Sequence, residues 1–431
     1  MNLLRLAWRN MVYRPLNSGL SILLLALGVG LISLLLLLQK QLNENFDKNL
    51  AGVDLVVGAK GSPLQMILSS MYHIDAPTGN VTLEQVRPFL NPAHPLIEEA
   101  VPISLGDNYL GFRIVGSTPN LLGWYEAEIG SGRLYEQDLE AVIGADVANI
   151  SELQIGDVFS SSHGLLTDDE LAEEHDHDFK VVGILEPSGT ALDKLVLVTN
   201  QSYWVMHGDH EGHDHGDHEG HDHDDHEGHD HDAPSPKRLI QAADLLEEDP
   251  TQEVTSVLLR FKGHNFQALN MGRNINENTD LQAATPAIEI SRIRDQFSRG
   301  EQILRLLAIV IIVVSGISVF ISLFTSLRDR RYELALMRSM GGGRDTVFGL
   351  ILFEGLLLGF LGFIVGIVLG HLIMQMIGSS LESSYGYNFS GWQWMKQEWL
   401  LLLAALLIGF LAALIPALQA SKTDIADTLT N

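Results

Sequence analysis

The sequence predicts an α-helical membrane protein with four transmembrane helices plus a large α+β domain between helices 1 and 2. Three observations carry this. Residues 20–38, 303–327, 346–375 and 399–419 are long apolar stretches with almost no charge. A polar block of about 260 residues separates the first stretch from the second. Short alternating or apolar runs, punctuated by glycine and proline, recur through that block and read as strands mixed with helices.

A bilayer core needs roughly 20 apolar residues per helix. In lipid the backbone must satisfy its own hydrogen bonds, so such stretches are helical. The first has a basic flank (Arg5, Arg9, Arg14), like a secretion signal. It runs from Leu20 to Leu38, long for a signal core, and Gln39-Lys40-Gln41 is no small-residue cleavage site, so it reads as retained.

Charge predicts orientation. Residues 41–300 carry 15 Lys/Arg and 45 Asp/Glu, within a chain of net charge −27. The loop from Arg328 to Arg344 holds five arginines (328, 330, 331, 338, 344). Basic residues in short loops stay cytoplasmic. The N-terminus, that loop and the C-terminal tail are therefore expected inside, and the acidic domain outside. The chain has no cysteine, so the outer domain folds without disulfides.

The expected order is a cytoplasmic amphipathic helix at 1–15, transmembrane helix 1 at 16–40, and the α+β domain at 41–299. Transmembrane helix 2 with a stalk follows at 300–327, then a cytoplasmic helix at 328–345, helix 3 at 346–376, a short outer loop at 377–397, helix 4 at 398–420 and a tail at 421–431. In the first segment Leu3, Leu6, Ala7, Trp8 and Met11 share one face, and Trp8 and Tyr13 suit the headgroup zone. In the domain, strands are expected at 54–58, 111–116, 140–144, 179–185, 195–199 and 253–261, with short helices at 64–71 and 146–153.

Two polar inserts interrupt the domain. Thr167–Asp178 is rich in acid and holds His175 and His177. The second, 207–232, repeats GDHEGHDH, GDHEGHDH and DDHEGHDH. Lacking apolar residues, it is expected to be a disordered loop whose removal leaves the fold intact. Its histidines are His207, His210, His213, His215, His218, His221, His223, His226, His229 and His231. Neutral imidazoles at this density, with interleaved carboxylates, bind zinc, copper or nickel, and His175 and His177 are candidate further ligands. Zinc is the favoured ion, at weak multiple sites and not as a tightly bound cofactor. The alternative is a solvated acidic loop that chelates incidentally.

The third apolar stretch contains Glu354 and His371; intramembrane charge is costly and either functional or engaged in interhelical hydrogen bonds. Gly355, Gly359, Gly362, Gly366 and Gly370 give it a close-packing face.

The layout and the segment RDRRYELALMRSMGGGRDTV at 328–347 resemble the FtsX-like/MacB-type ABC transporter permeases (type VII, mechanotransmission type). Arg330 or Arg331, Glu333, Leu334, Leu336, Arg338 and Gly341 fall on that family's short cytoplasmic motif. FRIVGSTPNLL, SGRLY, AVIGADVA, QIGDVF and VVGILEPSGTALD resemble its outer-domain phrases. VDLVVGAKGSPLQMILSSMYHIDAPTGN, residues 53–80, resembles a narrower branch that accompanies zinc-responsive genes. The resemblance implies a MacB-like periplasmic domain in the bacterial inner membrane, a homodimer, two copies of a cytoplasmic ABC ATPase and a periplasmic adaptor, substrate-binding or cargo protein; no nucleic-acid partner is expected. ATP-driven motion would do periplasmic work on an envelope cargo, linked to zinc. The alternative is an FtsX-like zinc-responsive relay to a periplasmic cell-wall enzyme.

The residues agree with a coupling role at 328–345. Leu334, Leu336, Met337 and Met340 supply an apolar face, Arg331, Glu333 and Arg338 its charges, and Gly341 begins the stop. A plain positively charged loop that fixes topology is the bland alternative. No G-x-x-x-x-G-K-[ST] is present, so ATP is expected on a partner chain only. No nucleophile elbow or H-E-x-x-H pair occurs either, and the chain is expected to be non-catalytic.

Overall fold

The computed structural model describes residues 3–13, 15–164, 174–208, 241–263, 265–340, 343–385 and 389–422. It divides into two compact units. One comprises Met1–Asn43 and Arg294–Asn431, the other Glu44–Ile293.

Helix α1 (Leu3–Tyr13) precedes α2 (Pro15–Leu50). Pro15 opens α2 at a position whose N–H would lack a helical partner anyway. α2 runs on past the apolar stretch to Leu50, into the start of the expected domain. In the second unit the elements are β1 (Leu55–Ala59), α3 (Pro63–Ser70), β2 (Val81–Thr82), α4 (Leu83–Leu90), β3 (Ile97–Tyr109), β4 (Phe112–Ser117), α5 (Asn120–Trp124), β5 (Ile129–Gly132), β6 (Glu140–Ile143), α6 (Ala145–Ser151), β7 (Val158–His163), β8 (Glu174–Leu185), β9 (Leu195–Val198), α7 (Asn200–Gly208), β10 (Glu253–Val254), β11 (Ser256–Phe261), α8 (Phe266–Asn278) and β12 (Leu281–Ala284). The chain then continues as α9 (Pro286–Asp329), α10 (Arg331–Ser339), α11 (Arg344–Tyr385) and α12 (Glu398–Lys422).

The main sheet runs β12-β1-β11-β3-β4-β9-β6-β8-β5, with β7 bridging β3 and β8. Its pairings are antiparallel except β4/β9 and β6/β8. Leu110 and Gly111, both at positive φ, make the two-residue turn from β3 to β4, the geometry that matches strand twist. Two apolar clusters lie along this sheet. Leu55, Val57, Val257 and Leu259 pack with Leu83, Val86 and Ile275, whereas Ile143, Val181 and Val196 pack with Val147, Phe159 and Phe179. This is the expected α+β domain.

Two expectations change here. The first acidic insert is not wholly an interruption: Glu174–Asp178 extends β8 and pairs with β7 at Ser162↔Glu174 and Ser160↔Asp178. Ser160 Oγ donates to Asp178 Oδ1 at 2.6 Å, which suits a polar strand facing water. The histidine repeat was expected to begin at His207, yet that residue closes α7. The rest of the repeat, from His210 to His231, lies outside the described residues.

Among the described residues four helices, α2, α9, α11 and α12, are long and apolar enough to cross a membrane. α9 carries its helix from Pro286 through the span, and α11 continues to Tyr385.

Candidate functional site

The first unit holds α10 between two spans. Ala335 is buried. Leu334 packs into a cluster of Leu327, Val347, Ile351, Ala417 and Ala420, contributed by the ends of α9, α11 and α12. On the other side of α10 Tyr332, Leu336 and Met340 are 62%, 46% and 82% exposed, beside the exposed Arg331 and Glu333. Met337 and Arg338 are half-buried. Gly341, on the predicted motif, lies outside the described residues. A helix this short is marginal alone; its inner face anchors it and leaves an apolar, charge-rimmed outer face.

Beneath α10 is a polar junction that sequence reasoning left unassembled. Asn10 Nδ2 of α1 donates to Glu354 Oε1 of α11 at 2.5 Å. Arg330, just before α10, approaches the same oxygen with Nη1 and Nη2 at 3.4 and 3.5 Å. Glu354 is buried.

The glycines of α11 are packing surfaces. A Cβ on Gly359 would lie 2.6 Å from the Ala405 carbonyl oxygen of α12, and one on Gly355 2.5 Å from that of Gly409. A Cβ on Gly366 would lie 2.8 Å from the Ala26 oxygen of α2, and one on Gly370 2.9 Å from that of Gly30. The stripe therefore divides between two neighbours, each at backbone contact.

At the opposite end of α11, His371 Nδ1 lies 2.5 Å from the Gly391 carbonyl oxygen and Nε2 2.8 Å from Glu398 Oε1. A carbonyl only accepts, so Nδ1 carries a hydrogen. Nε2 thereby pairs with the Glu398 carboxyl group of α12. Gln41 of α2 both donates to and accepts from the Ser390 backbone at 2.8 Å. Gln375 accepts from Gly391 N–H. The buried Gln41 amide and the exposed Gln375 amide pin the segment that presents exposed Trp392 and Trp394, aromatic residues suited to the headgroup zone.

In the second unit His207 Nδ1 donates to the Tyr203 carbonyl at 2.8 Å, Nε2 lies 3.4 Å from Asp107 Oδ1, and the ring packs against Tyr203 at a tilt of 34°. The fold thus holds His207 in a helix. Burial pulls its pKa down, but hydrogen bonding and charge from Asp107 leave it raised. His177 is a half-buried residue of β8, and the backbone of His175 belongs to the same strand. Among the described residues no three His, Cys, Asp or Glu side chains form a metal-sized group.

Four apolar helices with a sheet-rich domain inserted after the first define an integral membrane protein of the permease class. The FtsX-like permease C-terminal family matches residues 305–425 and the MacB-like periplasmic core domain matches residues 18–218. The chain belongs to the FtsX-like/MacB-type ABC transporter permease family. It is 26% identical over 191 residues to the lipoprotein-releasing system transmembrane protein LolC of Haemophilus influenzae, covering 44% of this chain and 41% of that protein. It is 25% identical over 124 residues to the ABC transporter permease MJ1507 of Methanocaldococcus jannaschii, covering 28% and 31%. The matched segments thus span under half of each relative. The periplasmic region of MacB from Actinobacillus actinomycetemcomitans superposes over 56% of this chain and 94% of its own, at 8% identity and a TM-score of 0.30. The extracellular domain of the YknZ transporter from Gram-positive bacteria covers 54% and 99%, at 11% identity and a TM-score of 0.30.

Proposed function

We propose that this chain is the permease subunit of an ABC transporter complex in the bacterial inner membrane. A separate cytoplasmic ATPase would dock on α10, and its hydrolysis cycle would do conformational work through the outer domain on an envelope cargo. The observation that carries the reading is the outer face of α10: Tyr332, Leu336 and Met340 stand exposed between Arg331, Glu333 and Arg338, in a short connection between two spans. Such a face fits a hydrophobic groove with a polar rim. Two permease copies and two ATPase copies, with both termini cytoplasmic, follow from this reading. Release of a lipoprotein, the role named for LolC, is one form the work would take.

The repeat at 210–231 adds a link to zinc. A relay of the same motion to a cell-wall enzyme is the second reading, and the repeat favours it if metal occupancy gates ATP turnover. The test is ATP hydrolysis by the permease co-purified with its ATPase in lipid nanodiscs. Glu333→Ala and Arg338→Ala are expected to lower permease-stimulated turnover with insertion intact, and unchanged turnover in both would sink the docking role. Titrating free Zn²⁺ against the intact chain and a 209–231 deletion tests the zinc link. A response lost with the deletion supports it; an identical response in both reduces the repeat to an incidental chelator.

A further inference from the structure

Glu354 is an anomaly for a simple packing helix. It sits inside a candidate span, next to Gly355, and only 6% of it is exposed. A carboxylate there is costly unless it is paired. Its partners are informative because of where they come from. Asn10 belongs to the amphipathic α1, and Arg330 is the residue from which α10 starts. Arg330 N–H also bonds to the Ser326 carbonyl at 3.2 Å, so the end of α9 is held in the same place. Leu334 N–H in turn bonds to the Arg330 carbonyl at 3.0 Å, which makes Arg330 the first rung of α10. A cavity of about 20 Å³ adjoins the carboxylate, lined by Asn17, Ser18, Ser322 and Ser326, with the size and polarity that admit one water. One oxygen therefore gathers three segments, and Met11, Leu323 and Leu358 complete the cavity wall beside the polar groups.

We infer that Glu354 is a positioning residue, whose carboxylate ties α1, the α9–α10 turn and α11 so that a displacement of α10 moves all three together. The inference rests on α10 being the ATPase-docking helix, and it adds the element through which docking reaches the spans. Packing alone would not require this arrangement. The apolar cluster around Leu334 already seats α10, and α1 has an apolar face of its own. What the carboxylate adds is directionality: Arg330 cannot move away from α11 without leaving a buried charge unpaired.

The chain lacks cysteine, so labels are easily introduced. Val12→Cys on α1 and Ser339→Cys on α10, both exposed, give a spin-label pair across the junction. In the full permease–ATPase complex in nanodiscs we expect a narrow distance distribution that broadens in Glu354→Gln and in Arg330→Gln. Each substitution is expected to lower permease-stimulated ATP turnover by about tenfold, and the double variant to be no worse than either, because both remove one interaction. Near-isosteric Glu354→Gln keeps the volume, and a melting temperature close to wild type separates positioning from loss of fold. Additive losses, or unchanged distances and turnover in Glu354→Gln, would overturn the assignment. If Glu333→Ala and Arg338→Ala also leave turnover unchanged, the docking reading has failed. The label distances then decide the tie alone: broadening upholds it, and the wild-type distribution overturns it.

Discussion

His73 is buried at a φ of +52°, with Nδ1 unpartnered, and burial, aided by the Arg113 charge, pulls its pKa down to about 3. The unfolded chain binds a proton there near pH 6.5 and the folded chain does not. Its contribution to stability is therefore complete above pH 6.5 and is lost between 6.5 and about 3, at up to about 1.4 kcal/mol per pH unit. His207 acts oppositely: its raised pKa stabilises below about 6.5, and that contribution fades as pH rises through the folded value. Melting of the outer domain of the full chain should fall from pH 7 to pH 5, and the slope should flatten in His73→Asn, which tolerates left-handed backbone. An unchanged slope would remove His73 as the cause. At the other residue pair, Glu398→Gln can donate to Nε2 of His371 and should cost under about 1 kcal/mol. Glu398→Leu leaves the ring without its partner and should cost about 1–3 kcal/mol, read as melting temperature in nanodiscs. Such pairs were not legible in sequence. Glu354 and His371 stood out as ionisable residues in an apolar run, but Asn10 lies 344 positions from Glu354 and Glu398 27 from His371.

Elements were legible where local chemistry agreed with tertiary burial. The four spans announce themselves by apolar length, and β1, β4, β6 and β9 by compact apolar runs. β3, at 13 residues the longest strand, escaped notice because Ser104, Asp107 and Asn108 interrupt its pattern while being buried. Asn108 is satisfied by the Gly164 carbonyl and Thr255 Oγ1 accepts from Leu105 N–H, partners invisible in one dimension. α8 escaped for a different reason: its Asn and Gly residues are poor helix formers, and Asn265 rescues its start by capping Ala268 N–H. The glycine stripe of α11 was legible as a packing face, but its division between α2 and α12 was not. Gly366→Leu should therefore break the α2–α11 contact and lower the melting temperature in nanodiscs, whereas Gly349→Leu, with open space at its Cβ, should not. Equal melting of both variants would contradict the assigned contact.

At the scale of the whole molecule, the chain divides into an apolar unit and an acidic one, and two helices pass the boundary between them along the sequence: α2 runs to Leu50 and α9 begins at Pro286. On the proposed reading, work on the outer side enters through the exposed face of α10. Removing residues 209–231 spares His207 and α7, and should leave the melting temperature of metal-free protein unchanged; a large fall would mean that the repeat contributes to the fold. If a partner's ATP hydrolysis enters at α10, permease-stimulated ATP turnover of the complex in nanodiscs will depend on Leu336, and Leu336→Asp tests this. Leu336 is nearly half exposed, so the change should leave the bundle folded. Stimulation and co-purification of the ATPase should both be lost; a stably bound ATPase with undiminished stimulation would rule out α10 as the point of entry.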